Sequence, residues 1–151
     1  MAKHNKNVKG NLNQVYKKQI PDQDNSTDKK KLVWDLNSID KNGKFSFDTS
    51  RDDFSCDKVL NFMLSAGNRT WFEIKTETHG KKNKSKNHFL DYESLSSEAK
   101  DRIRVLDLND KTDSIFSLRI ENLIRIIGIR EGEKFVVKWY DPKHEFYPVG
   151  K

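Results

Sequence analysis

Three runs near the C-terminus leave this chain little choice of fold. The stretch 115–147 reads IFSLRIENLIRIIGIREGEKFVVKWYDPKHEFY, three segments rich in β-branched and aromatic residues. They are separated at Glu121-Asn122 and Glu131-Gly132 and closed by Asp141-Pro142. Short runs of this kind, bounded by turn residues, are antiparallel strands. A two-residue Glu131-Gly132 connection sets Arg130 opposite Glu133, as a hairpin ion pair. The pairing then continues as Gly128–Phe135, Ile126–Val137, Arg125–Lys138 and Ile124–Trp139. A three-residue first loop adds Phe116, Leu118 and Ile120 to the apolar face and sets Arg119 beside Arg125. The sheet is thus expected to be dry on one side and to carry Arg119, Arg125, Lys138 and Tyr140 on the other. Like charges directly opposite cost a few tenths to about 1 kcal/mol. Cations gathered at such a cost suggest an anion-binding surface, with phosphate the first candidate. A solvated face, or one neutralised by Glu residues from elsewhere, is the competing reading.

Upstream, Lys41-Asn42-Gly43 is a turn signal between 32–35 and 44–47, read as a short strand pair or as extended segments laid on the core. A helix is expected over 51–66, with Val59, Leu60, Met63 and Leu64 as its apolar stripe and Gly67 as its stop. Cys56 falls near that stripe and reads as buried filler. Thr70-Trp71-Phe72-Glu73 is a capping box opening a short helix to Thr78, with Trp71 and Ile74 inward. A basic loop over 79–87 leads into an extended run at His88, and Ser96 or Ser97 caps a third helix with Ala99, Ile103 and Leu106 inward. The sum is an α+β domain, an antiparallel sheet whose C-terminal three-stranded meander packs against about three helices.

The net charge of +6 is unevenly held. Residues 1–31 have eight Lys against three Asp, a balance of +5, which leaves 21 basic and 20 acidic residues in the remainder. Residues 1–31 read as a flexible basic arm and 32–151 as one globular domain. A case for nucleic acid therefore has to rest on local clusters, because the body of the chain is almost neutral. The single Cys56 rules out an internal disulfide and fits a reducing cytoplasm. With no long apolar run, neither a membrane span nor a signal peptide is expected.

No cofactor is called for. The four His are scattered without zinc spacing, and P-loop, dinucleotide and serine-elbow fingerprints are absent. Asp141, His144 and Glu145 offer two or three ligands at most, in a turn where such residues more commonly cap or are solvated. What remains is His with Arg, Lys and Tyr. Metal-free RNA cleavage needs a base for the 2′-hydroxyl proton, an acid for the leaving oxygen, and cations for the charge building on phosphorus. His88, Tyr140 and His144 are the candidates for proton transfer. Lys86, Arg119, Arg125 and Lys138 are the candidates for binding phosphate. A surface role for both histidines and an ordinary solvated 79–88 loop are the bland alternatives.

The ending RIIGIREGEKFVVKWYDPKHEFYP, after two helices and a strand, resembles the RelE/ParE-like toxin superfamily. It also resembles small bacterial proteins that end in W-[WFY]-D-P-x-H, matched here by Trp139, Tyr140, Asp141, Pro142 and His144. The resemblance covers roughly 53–148 and implies helices against a curved antiparallel sheet. In the RelE-like branch it implies a toxin that cleaves mRNA without a metal ion, often on the ribosome, and is held in check by an antitoxin. Such a toxin would serve a toxin–antitoxin or phage-defence system. Arg119 and Arg125 match basic positions on the middle strands, Lys138 and Tyr140 basic and aromatic positions near the end, and His144 a C-terminal polar position. The third helix and the basic arm depart from a typical member, and the ParE-like branch poisons a topoisomerase without cutting RNA. A non-catalytic RNA- or protein-binding module is the alternative from another class.

Overall fold

The computed structural model describes residues 25–149. Most of the arm therefore lies outside the described residues. Its end does not: Asn25–Thr27 forms a turn of 3₁₀ helix, Asp28 is buried, and Lys31 bridges to Thr70. Seven strands follow, β1 (Val33–Asp35), β2 (Thr78–His79), β3 (Lys84–Ser85), β4 (His88–Phe89), β5 (Ile115–Glu121), β6 (Ile124–Glu131) and β7 (Lys134–Asp141). Three α-helices are interleaved, α1 (Cys56–Ala66), α2 (Trp71–Thr76) and α3 (Ser97–Val105). The main sheet runs β1-β7-β6-β5-β4, while β2 and β3 make a separate hairpin. The meander is as expected, but the sheet is mixed, because β1 joins β7 in parallel. Residues 44–47 are not a strand. They lie on the core, with Phe45 and Phe47 buried and Ser46 bridged to Trp139.

Local chemistry explains the helix ends. Thr70 and Glu73 form the reciprocal capping box, and Ser96 accepts the Ala99 N–H at 3.2 Å. Helix α1 begins later than its composition suggests, because the preceding residues bond locally. Asp48 accepts from the Ser50 N–H and hydroxyl, and Arg51 pairs with Asp53 while donating to Ser46 O. Side-chain bonds of this kind compete with helical ones. Cys56, at the first turn of α1, is exposed, and Leu60 and Leu64 are 59% and 63% exposed, so the buried side of the helix is narrower than its apolar stripe.

The β6–β7 register differs from the simplest expectation, for two reasons. Glu131 pairs with Lys134, so Gly132 and Glu133 are the two loop residues, and Gly132 takes φ +64 at the first. A two-residue hairpin reserves that position for a residue that tolerates positive φ, which Glu131 does not. The second reason is a bulge: Gly128 pairs with Val137 but Ile127 with Trp139, leaving Lys138 as the extra residue. Gly128 is held close at this point, since a Cβ there would lie 2.2 Å from Val136 O.

The bulge exchanges the faces of Trp139 and Tyr140. Tyr140, not Trp139, joins Phe135 and Val137, with Phe116, Leu118 and Ile126, against Val59 of α1 and Trp71 and Ile74 of α2. Trp139 joins Ile115, Ile127, Ile129 and Val136 on the other face, under Ala99 and Ile103 of α3. Both faces of the sheet therefore carry a packed apolar cluster, where one wet face was expected, and only the part of the second face around Arg119 and Arg125 stays open. Arg130 also differs, because it is buried rather than paired with Glu133. It stacks 4.2 Å from the Trp71 ring and gives Nη2 to Asp28 Oδ1 at 2.7 Å. Among the described residues no helix is long and apolar enough to cross a membrane.

Candidate functional site

Helix α3 covers only part of its face. The β5–β6 hairpin runs on past it, and alternation along the strands brings Ser117 and Arg119 of β5, and Ile127 and Arg125 of β6, to that same side. Arg119 and Arg125 are direct cross-strand partners, which sets their Cα atoms about 4.5–5.5 Å apart. His88 pairs with Ser117, one strand over and about 7 Å along from Arg119. The C-terminal segment adds His144 and Tyr147 to the lining, and the β2–β3 hairpin with the residue after it supplies His79, Lys84 and Lys86. The result is a cleft of about 630 Å³.

Five of the seven candidate residues line this one cleft: Lys86, His88, Arg119, Arg125 and His144. Tyr140 does not. It is fully buried on the opposite face and donates its hydroxyl to Asp53 O at 2.9 Å. Lys138, the bulged residue, points elsewhere and donates to Ser38 O and Oγ, both at 3.0 Å. Both corrections follow from the bulge, which no local pattern announces.

Several of the lining side chains are held by identifiable partners. Asn87, buried between the hairpin and the sheet, accepts the Arg119 N–H at 2.9 Å and donates to Ile74 O at 2.9 Å, which locks the start of β4 against β5. The basic segment 79–87 is thus an ordered hairpin, not a loose loop, with Gly80 and Asn83 at positive φ in its turn. Lys86 is shared with Glu77 at 3.2 Å. His88 Nδ1 lies 3.0 Å from Phe89 O, and a carbonyl only accepts, so Nδ1 donates and the neutral ring keeps its lone pair on Nε2. Tyr147 stands edge-on to that ring, with centroids 5.9 Å apart.

The electrostatics are one-sided. Lys84, Lys86, Arg119 and Arg125 face a single lining carboxylate, Asp141. Its two oxygens accept the Glu145 and Phe146 N–H groups at 3.0 and 2.9 Å, so it closes the C-terminal turn. Among the described residues, no ion pair reaches Arg119 or Arg125. Withdrawal from water, then repulsion from Arg119, lowers the Arg125 pKa to about 10 against a partial offset from Asp141. An arriving anion would relieve that strain on the charged form.

Sequence reasoning missed His79. Its Nδ1 lies 2.6 Å from Arg119 Nη1, across 40 residues of chain. Loss of water contact, then Arg119, Arg125, Lys84 and Lys86, push its pKa down. Its position in a Lys-rich turn carries no signal of that contact. A second hollow of about 810 Å³, lined by Asp28, Lys29, Thr70, Phe72, Lys75 and Thr76, contains no histidine. Its Lys75 and Asp28 are already paired at 3.0 Å. Among the described residues no three His, Cys, Asp or Glu side chains are grouped to hold a metal ion. No family model, curated protein or solved structure matches this chain.

Proposed function

We propose that this protein is a RelE-like endoribonuclease, a toxin that cleaves RNA with its own side chains. The observation that carries the reading is the meeting of His88 and His144 with Lys86, Arg119 and Arg125 in one cationic cleft. In this scheme the 2′-hydroxyl attacks the adjacent phosphorus and gives its proton to His88 Nε2, the nitrogen with the free lone pair. The bond to the 5′-oxygen breaks, that oxygen takes a proton from His144 as imidazolium, and a 2′,3′-cyclic phosphate remains. Arg119 and Arg125 donate to the non-bridging oxygens, where charge grows in the transition state. Exposed Leu123 and Val149, with Tyr147, offer an apolar wall for an unpaired base.

The test is digestion of RNA by the purified protein in EDTA, with and without ribosomes, beside an Arg125→Ala/His144→Ala variant. Cleavage by the wild type that the folded variant loses is the expected result. Intact RNA in every lane, ribosomes included, would sink the proposal. Retained RNA binding would then favour a non-catalytic module using the same cleft, and growth arrest with DNA damage but intact RNA would favour a ParE-like toxin.

A further inference from the structure

The contact between His79 and Arg119 can exist in only one protonation state. Arg119 Nη1 and His79 Nδ1 are 2.6 Å apart, and a guanidinium has hydrogens to give but no lone pair to accept with. Nδ1 must therefore accept, and the imidazole proton sits on Nε2. An imidazolium, with hydrogens on both nitrogens, would set N–H against N–H at that distance. Protonation of His79 and its bond to Arg119 are mutually exclusive.

The surroundings favour the neutral ring. The charges that act most strongly on His79 are Arg119 of β5, Arg125 of β6, Lys84 of β3 and Lys86 just beyond it, all of them cations, while Asp141 of β7 is the one carboxylate lining the same cleft. Lys86 is partly offset by Glu77. A phosphodiester entering the cleft reverses the balance. Its oxygens accept from Arg119 better than a neutral nitrogen does, which frees Nδ1, and its charge favours an imidazolium close by.

We infer that His79 is a phosphate-binding residue of this cleft, accepting from Arg119 in the conformation observed and becoming a donor when a phosphodiester takes the Arg119 N–H. One proton comes from solvent, and no covalent bond changes. The inference rests on the anion-binding reading of the cleft and adds a residue to it. It also makes binding proton-linked.

The probe is a short oligodeoxynucleotide, whose diesters do not titrate near neutrality and which has no 2′-hydroxyl to react. It is titrated into the full chain carrying His88→Gln and His144→Gln, so that His79 is the one histidine left in the cleft. Kd is measured at constant ionic strength over about pH 5 to 8, where histidine changes charge. Proton uptake is measured by calorimetry in two buffers of different ionisation heat. The expected result is affinity rising by up to about tenfold per pH unit on acidification, with close to one proton taken up. Adding His79→Asn keeps an acceptor for Arg119 but cannot be protonated, and it should flatten the profile and abolish the uptake. An unchanged slope with His79→Asn, or no binding at any pH, overturns the inference. RNA left uncut by the wild type while the linkage persists would count against the nuclease reading alone.

Discussion

Asp40→Asn tests the anchor that fixes the bulged strand. Asp40 is 3% exposed and accepts four donors. Oδ2 takes Arg102 Nε at 2.8 Å and Trp139 Nε1 at 3.0 Å, while Oδ1 takes Arg102 Nη2 and the Asn42 N–H, both at 3.0 Å. One carboxylate thus ties α3, β7 and the 36–47 segment together. The amide would point its NH₂ at one pair of those donors and leave the Arg102 charge without its counter-ion. Removing one partner of a buried pair costs about 3–5 kcal/mol. Arg102 is 19% exposed, so water recovers part of that, and about 2–4 kcal/mol is the expected loss. For a chain of this size that corresponds to a fall in Tm of roughly 5–15 °C.

The assay is urea unfolding at a series of pH values, followed by tryptophan fluorescence. Burial pushes the Asp40 pKa up, but the Arg102, Asn42 and Trp139 hydrogen bonds and the Arg102 charge outweigh it, so the group sits below its ordinary 3.8. A depressed carboxyl pKa contributes stability that is present above the unfolded value and lost as pH falls through the folded one. The gap between wild type and variant should therefore be full at neutral pH and narrow only below about pH 3.8. A loss under about 1 kcal/mol at neutral pH, or a gap that does not narrow in acid, would refute the reasoning.

Three further outcomes are expected. Gly128→Ala should lower the urea midpoint by about 1–3 kcal/mol of stability, because its Cβ would meet Val136 O at 2.2 Å; an unchanged midpoint contradicts the close pairing at the bulge. Tyr140→Phe removes the bond to Asp53 O at 2.9 Å and should cost about 1 kcal/mol while leaving RNA cleavage intact. A large drop in cleavage by the folded variant would return Tyr140 to the site. Arg119→Gln and Arg125→Gln should each weaken single-stranded RNA binding and flatten the salt dependence of log affinity by about 0.7, and an unchanged slope would place the phosphate elsewhere.

Much of the fold was legible along the chain wherever one short pattern carried the information. The capping box at Thr70, the Ser96 cap, the three strands of the meander and the Arg119–Arg125 pairing all follow from spacing and turn chemistry within a few residues. Residue types alone supplied His88, Arg119, Arg125 and His144 as candidates but not their convergence, and it is the tertiary structure that lines one cleft with all four. Tyr140 and Lys138 went astray together. A single extra residue in β7 reverses which side chains point where, and strict alternation cannot foresee it.

The sequence by itself determined that a C-terminal meander forms, where two of the three helices are capped, and that two arginines meet on adjacent strands. These are local matters, settled by dihedral preference and by hydrophobic period. Tertiary structure alone decided the rest. The parallel seating of β1 on β7, the burial of Arg130 against Asp28 and Trp71, and the bulge all depend on groups far apart in the chain. So does the contact of His79 with Arg119, which exists because Asn87 locks β4 to β5 beside the small hairpin. Packing and donor–acceptor matching between distant segments decided these, and the β6–β7 register departs from the one a Glu131-Gly132 turn alone implied.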